Sequence, residues 1–338
     1  MKKTFFVRFV ALLSVCALVL TGCGGSKAVL SSSTDEKTVI GKVADYDVPM
    51  EIYRYVALNY REDYEKGDPN VWLGEGGAAL LDELSISTDE TVVRLYTTVA
   101  MCEDYGIHPD DEYIVAALDA RMESIYESYS NNYDVYKTAI ANYNMNDSVY
   151  RFLMRNDIMS EELLAKMIEK GEIPAYSEDF RNTVTSDEFV RVKQILIYSS
   201  NGKTEEENLD TAKMIKARLD KGEEFETLLG QFGEDVYMFS NTDGYYLSRG
   251  SYYTEFEDTA FSLEVGEISD IVKTPAGFCI IKRYEKDEQY IDGHLTDLYA
   301  TYRDGLYNLA LEGKKATLSV EWNDKAEKYT IFNMKSEQ

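Results

Sequence analysis

A chain of 338 residues with 35 Lys+Arg against 61 Asp+Glu carries a formal charge of −26. It should repel nucleic acid and anionic lipid surfaces and favour basic or neutral partners. Its 44% hydrophobic and 12% aromatic content, with 27 tyrosines, excludes a disordered acidic tail and leaves room for two or three domains.

The start, MKKTFFVRFVALLSVCALVLTGC, has cations at Lys2, Lys3 and Arg8, then an apolar run from Phe9 to Leu20 too short for a stable membrane span. It reads as a signal peptide over residues 1–22. Leu20-Thr21-Gly22-Cys23 resembles the lipobox of bacterial lipoproteins. That resemblance implies cleavage before Cys23 and a diacylglycerol thioether on its sulfur. Residues 23–37, small and polar after Cys23, read as a flexible tether that reaches at most about 50 Å. No other stretch is apolar for long enough to span a bilayer.

Residues 38–48, TVIGKVADYDV, alternate as a short hairpin or strand pair. Pro49 suits a helix first turn, and MEIYRYVALNYREDYEKG reads as a helix to Gly67. After a Gly-rich loop, "STDE" at 87–90 resembles a capping box that opens a helix running to Tyr105-Gly106. Asp110, Asp111 and Glu112 sit in the next helix's first turn, where the dipole favours carboxylates; an acid/base pair is the weaker reading. A further helical hairpin is capped at Asn146 or Asp147 and stopped at Gly171. Tyr126, Tyr129, Tyr133, Tyr136, Tyr143 and Tyr150 read as helix-packing core, with a client-binding stripe as the alternative.

From about residue 187 the pattern changes. "FVRVKQILI" is strand-like, and Leu209, Ala212, Ile215 and Leu219 mark an amphipathic helix. Phe225, Leu228, Leu229 and Phe232 mark a second, shorter one. "DGYYLSRG" reads as turn, strand and turn, "TEFEDTAFSL" as a helix, "VGEISDIVKT" and "GFCIIKR" as two strands joined by Pro275-Ala276-Gly277. The sum is β-α-α-β-α-β-β, a small α+β sheet domain. Leu295, Leu298, Tyr302, Leu306 and Leu309 form another helix, and "ATLSVEWN" alternates as a strand. The expected organisation is a helical domain at 38–186, an inserted sheet domain at 187–286, and a tail at 287–338 that folds back on the helical domain.

Metal and cofactor chemistry finds little support. Cys16 leaves with the signal and Cys23 takes lipid, so Cys102 and Cys279 remain; their flanks point to different domains, and a disulfide is not expected. The two histidines, His108 and His294, are far apart, and no CxxC supplies a zinc set. "FSNTDG" has Phe239 where a calcium loop needs its first ligand. There is no Gly-rich phosphate loop and no GxSxG. No cofactor and no metal are expected.

The segments "VKQILI", "FETLLGQFGED" and "SRGSYYTEFEDTAFSLEVGEISDIVKTPAGFCIIKR" resemble a parvulin-type peptidyl-prolyl isomerase domain. "IGKVADYDVPMEIYRY" and "NYNMNDSVYRFLMRNDIMSEELL" are similar, more weakly, to the helical chaperone region of the PrsA/SurA/trigger-factor-like exported foldases. Active parvulins keep two histidines at the sheet centre. The resemblance puts Gln194 at the first histidine's place and Cys279 at the second's. Asp235 or Val236 falls at the family's Asp or Cys, and Thr274 and Ala276 flank its Ser/Thr. The proline pocket maps to Tyr252 and Phe256, with Gly244 or Tyr245 in place of a Leu. These substitutions imply weak or absent turnover, since Gln can exchange hydrogen bonds but Cys mostly fills apolar space. Catalysis by a Cys279 nucleophile is disfavoured by the lack of a nearby base.

The expected protein is a lipid-anchored folding factor on the outer face of a bacterial cell membrane, acting on unfolded or newly exported polypeptides. A fully active isomerase and a non-catalytic surface scaffold are the alternatives. A homodimer is left open, and no nucleic-acid partner is expected.

Overall fold

The computed structural model describes residues 38–74, 76–199 and 201–323. The expected signal peptide, the expected lipidation site Cys23 and the expected tether lie outside the described residues. The described chain divides into two compact units, one over residues 168–310 and the other on both sides of it in sequence.

In the flanking unit, β1 (Val39–Val43) and β2 (Tyr46–Pro49) form an antiparallel hairpin whose turn is closed at Ala44, φ 51°. On the other edge β1 pairs with β7 (Val320–Trp322), the last described strand. Gly41 is required at that edge, because a Cβ there would stand 2.4 Å from the Trp322 ring. The strand expected from "ATLSVEWN" is thus only three residues long: the preceding helix runs on to Lys315, and turns through Thr317 and Leu318 use up the rest.

The helices of this unit are α1 (Met50–Glu65), α2 (Gly77–Asp104), α3 (Glu112–Ser128), α4 (Tyr133–Ala141) and α5 (Asp147–Glu169). α2 passes without a break through the expected capping box at 87–90. Thr88 is buried, and its hydroxyl donates back to the Leu84 carbonyl at 2.8 Å instead of capping a new helix. Asp89 accepts from Tyr53 of α1. Burial of Leu84, Thr88 and Val92 along one face of the helix outweighs the local cap preference. At α3, Asp111 accepts from the His108 backbone N–H, and at α5 Asn146 accepts from Val149 N–H, both turn and cap roles. The tyrosines divide. Tyr136 is fully buried and, with Tyr126, donates to Asp147, which Arg151 also holds; Tyr133 and Tyr143 are exposed.

The other unit contains α6 (Phe180–Thr185), β3 (Val190–Tyr198), α7 (Glu205–Leu219), α8 (Phe225–Phe232), α9 (Val236–Ser240), β4 (Tyr245–Leu247), α10 (Thr254–Ser262), β5 (Val272–Thr274) and β6 (Gly277–Tyr284). α11 (Glu288–Lys315) follows, with a kink at His294. The sheet is antiparallel in the order β4-β3-β6-β5. Two differences from the expected order have local causes. Asp235 accepts from Tyr237 N–H and starts the extra one-turn helix α9. Most of "VGEISDIVKT" runs beside the sheet with a single bridge, Ile268 to Lys282, and only its end is β5.

Alternation along β3 gives the sheet two distinct faces. Ile195 and Ile197 point to one, covered by Ile215 and Leu219 of α7 and Phe225, Leu228 and Leu229 of α8. Val190, Val192 and Leu196 point to the other, covered by Phe256 and Ala260 of α10 and Leu263 beyond it. Gln194 shares that second face. At the β4 edge, Phe180, Val184 and Phe189 form a third cluster with Tyr246 and with Ile291, Leu298 and Tyr299 of α11. This cluster carries the compact unit past the junctions expected at 186/187 and 286/287.

Glu257 of α10 is buried and accepts from the backbone N–H of Gly250 (2.9 Å) and Tyr252 (2.6 Å), so it fixes the turn that carries Tyr252. Burial raises its carboxyl above the ordinary value, although those N–H groups pull the other way.

Two outcomes follow from this packing. Phe189→Ala empties a fully buried aromatic site and should cost about 3–5 kcal/mol in urea unfolding, whereas exposed Val236→Ala should stay within about 0.5 kcal/mol. The raised carboxyl of Glu257 means that the folded state holds the proton more tightly than the unfolded state. Stability relative to Glu257→Gln should therefore be greatest at or below pH 4.5. It should fall as pH rises through the raised value and then level off. Unfolding of both proteins across pH 4 to 8 measures this; a difference that grows with pH would contradict it.

Candidate active site

The centre of the site is a carboxylate with no cation beside it among the described residues. Asp235, at the N-terminus of α9, is 2% exposed. Its Oδ2 accepts from Gln194 Nε2 at 2.6 Å and from the Tyr245 hydroxyl at 2.7 Å; its Oδ1 accepts from Tyr237 N–H at 3.1 Å. Three donors from β3, β4 and α9 replace a counter-ion. The Gln194 amide also reaches the Tyr252 hydroxyl, at 3.3 Å. With Nε2 committed to Asp235, Gln194 Oε1 is left buried with no hydrogen-bond partner among the described residues.

Gln194 stands in the middle of β3 opposite Ile281, and Cys279 opposite Leu196, so Gln194 and Cys279 are diagonal neighbours on one face. Gln194 is fully buried and Cys279 is 1% exposed. The Cys279 thiol lies 3.8 Å from the Thr274 hydroxyl. Thr274 otherwise closes the β5–β6 turn, donating to the Gly277 carbonyl and accepting from Ala276 N–H. Gly277 is forced there: φ is 140°, and a Cβ would sit 2.0 Å from the Ile197 carbonyl oxygen.

Of the alternatives at the Asp/Cys position, Asp235 points inward while Val236 is 76% exposed. Tyr245 enters the network, and Gly244 is only a turn residue with φ 79°. Tyr252 rests on Phe256, ring centroids 4.5 Å apart. Phe256 itself is 0% exposed, so it is the floor under Tyr252 and not a pocket wall, contrary to expectation. Burial pushes the phenols of Tyr245 and Tyr252 well above their ordinary values; the nearby Tyr252 and Asp235 add to this at Tyr245. Both therefore remain neutral hydroxyls at physiological pH. Tyr198, on the same face, is raised for the same first reason.

Glu257 was not singled out from sequence, although it is the last residue of the "EFE" in the quoted run. An acidic residue in a helix first turn reads as a dipole effect. Only the fold shows that it accepts from the turn carrying Tyr252. The assembled groups offer neutral hydroxyls, one amide, one carboxylate and a buried thiol. That set exchanges hydrogen bonds and contains no imidazole.

Residues 179–287 match the PPIC-type PPIase domain. Foldase protein PrsA of Geobacillus kaustophilus is 32% identical over 173 residues, covering 51% of this chain and 55% of that protein. Foldase protein PrsA 3 of Bacillus cereus is 25% identical over 297 residues, covering 85% of this chain and 79% of its own. A crystal structure of peptidylprolyl isomerase (PrsA) from Bacillus anthracis aligns with 69% of this chain and 100% of its own at 24% identity and a TM-score of 0.36. The chain spans about half the length of the first of these relatives. Residues 179–287 thus carry the likeness to the PPIC-type PPIase domain, and over about half its length the chain is similar to PrsA foldase proteins.

Proposed function

We propose that this chain is an extracytoplasmic protein-folding factor, anchored by lipid on Cys23, that binds proline-containing segments through its parvulin-type domain and turns them over weakly or not at all. The PPIC-type match and the PrsA foldase relatives support a role in folding. The observation that carries the weak-turnover reading is the sheet face itself. Gln194 and Cys279 occupy it, both buried, and Gln194 is tied into the Asp235 network.

Rotation about an X–Pro bond has a barrier of about 20 kcal/mol and takes tens of seconds unaided. Lowering it requires groups that favour the twisted amide over the planar one. Here the donors nearest the centre of the face are already satisfied by Asp235. Binding can survive that arrangement more readily than rate enhancement can. Tyr252, braced by Phe256 and Glu257, is the proposed contact for the proline ring. The helical unit is the proposed holding surface for extended clients, which are unfolded or newly exported polypeptides.

The test is cis/trans turnover of X–Pro peptides by protein lacking residues 1–23, beside the Gln194→His/Cys279→His double variant. The unaltered protein should stay within a few-fold of the uncatalysed rate. Turnover at the level of an active parvulin would establish the fully active reading instead. If neither protein turns over peptide, suppression of aggregation of an unfolded client separates a holding factor from a surface scaffold.

A further inference from the structure

The turn that carries Tyr252 is held by two helices. Glu257 of α10 accepts from the Gly250 and Tyr252 N–H groups. The second helix is α11, which starts at Glu288, beyond the end of the PPIC-type match at residue 287. Asn308 Nδ2 donates to the Gly250 carbonyl at 3.2 Å. Gly250 has φ 79°, and a Cβ on it would stand 2.2 Å from the Gly305 carbonyl oxygen. A Cβ on Gly305 would stand 2.5 Å from the Arg249 carbonyl oxygen and 3.3 Å from the Ser248 hydroxyl oxygen. Helix backbone and turn backbone meet here with no side chain between them, an approach that a glycine on each side allows.

Gly305 is buried, inside a helix of 28 residues. Only proline is a poorer helix former, so local preference does not account for it there. The close approach to Arg249 does. Gly305 and Asn308 are three apart and share one face of α11. The same stripe runs back through Thr301 and Leu298, which line a cavity of about 450 Å³ together with Ser251 and Tyr252. One face of α11 thus follows the turn and the cavity beside it.

The Tyr252 ring rests on Phe256, and its hydroxyl accepts from Gln194 at 3.3 Å. Its backbone has no such sheet contact; it is placed by the turn, and the turn by Glu257 and α11. We infer that α11 positions the proline contact: Gly305 and Asn308 set the Ser248–Tyr252 turn and, through it, the Tyr252 ring. The inference rests on the reading of Tyr252 as the contact for the proline ring. It adds to the client site a helix that lies outside the PPIC-type match.

The test pairs an affinity with a signature of the ring itself. Affinity for a fluorescein-labelled proline peptide is read by anisotropy with the chain lacking residues 1–23. A fluorotyrosine incorporated at position 252 reports the ring through its fluorine resonance in the free protein. Asn308→Ala should weaken binding about three- to tenfold, the worth of one hydrogen bond, and Gly305→Ala at least as much. Both should displace the resonance. Gly313→Ala, on the same helix with nothing within 4 Å of the added carbon, should change neither. Urea unfolding verifies that each variant is folded in the assay; if Gly305→Ala is not, Asn308→Ala decides. An unmoved resonance, a moved one with affinity retained, or the same changes in Gly313→Ala overturns the positioning role and leaves the client site standing. If the unaltered protein binds no proline peptide, the client-site reading fails and this one with it.

Discussion

The buried Asp235 carboxyl ties together three elements of the sheet unit. Asp235 has no cation beside it among the described residues, and its oxygens accept from the Gln194 amide, the Tyr245 hydroxyl and one backbone N–H. Removing a donor from such a group leaves a buried carboxyl oxygen unsatisfied, a loss of about 1–3 kcal/mol. The three donors come from β3, β4 and α9, so satisfying Asp235 also fixes the position of those elements. The orientation of the Gln194 amide follows, and with it the orphaned Oε1.

On the proposed reading, the same constraint separates binding from catalysis on this face. The resemblance to active parvulins calls for imidazoles where this chain has Gln194 and Cys279. An imidazole at 194 would have to share Asp235 with Tyr245, and one at 279 would displace a small side chain packed against Leu196 and Thr274. The chain uses that space for an apolar, hydrogen-bonded sheet interior, which favours a rigid platform. What stays accessible is at the rim: Tyr252 and Tyr245 at the cavity, and the exposed Val236 and Phe239 of α9.

Much of this was legible in the sequence because period-2 and period-3.6 patterns are direct consequences of burial. The β1–β2 hairpin, β3, α7, α8 and β6 lie where alternation and helical spacing put them. The misses have physical causes. "STDE" has local cap chemistry, but Thr88 is buried within a long helix and bonds backwards. The tail of "ATLSVEWN" alternates, yet α11 extends through its approach and only Val320–Trp322 pairs. Phe256 matches a pocket position in sequence but is sealed under Tyr252. The domain junctions shifted because Phe180, Phe189 and Tyr299 make a core with Tyr246 that no local window contains. At the junctions a contact distant in sequence overrode a local signal, whereas at Thr88 and Phe256 the overriding partner is only four residues away.

The central claim is that the face binds proline segments while leaving their isomerisation slow. Two-dimensional NMR exchange spectroscopy on a proline peptide, with a substoichiometric amount of the protein, reads both properties together. The account predicts peptide resonances shifted by binding, and no cis–trans exchange cross-peaks on the sub-second timescale. Strong exchange cross-peaks with the unaltered protein would contradict it.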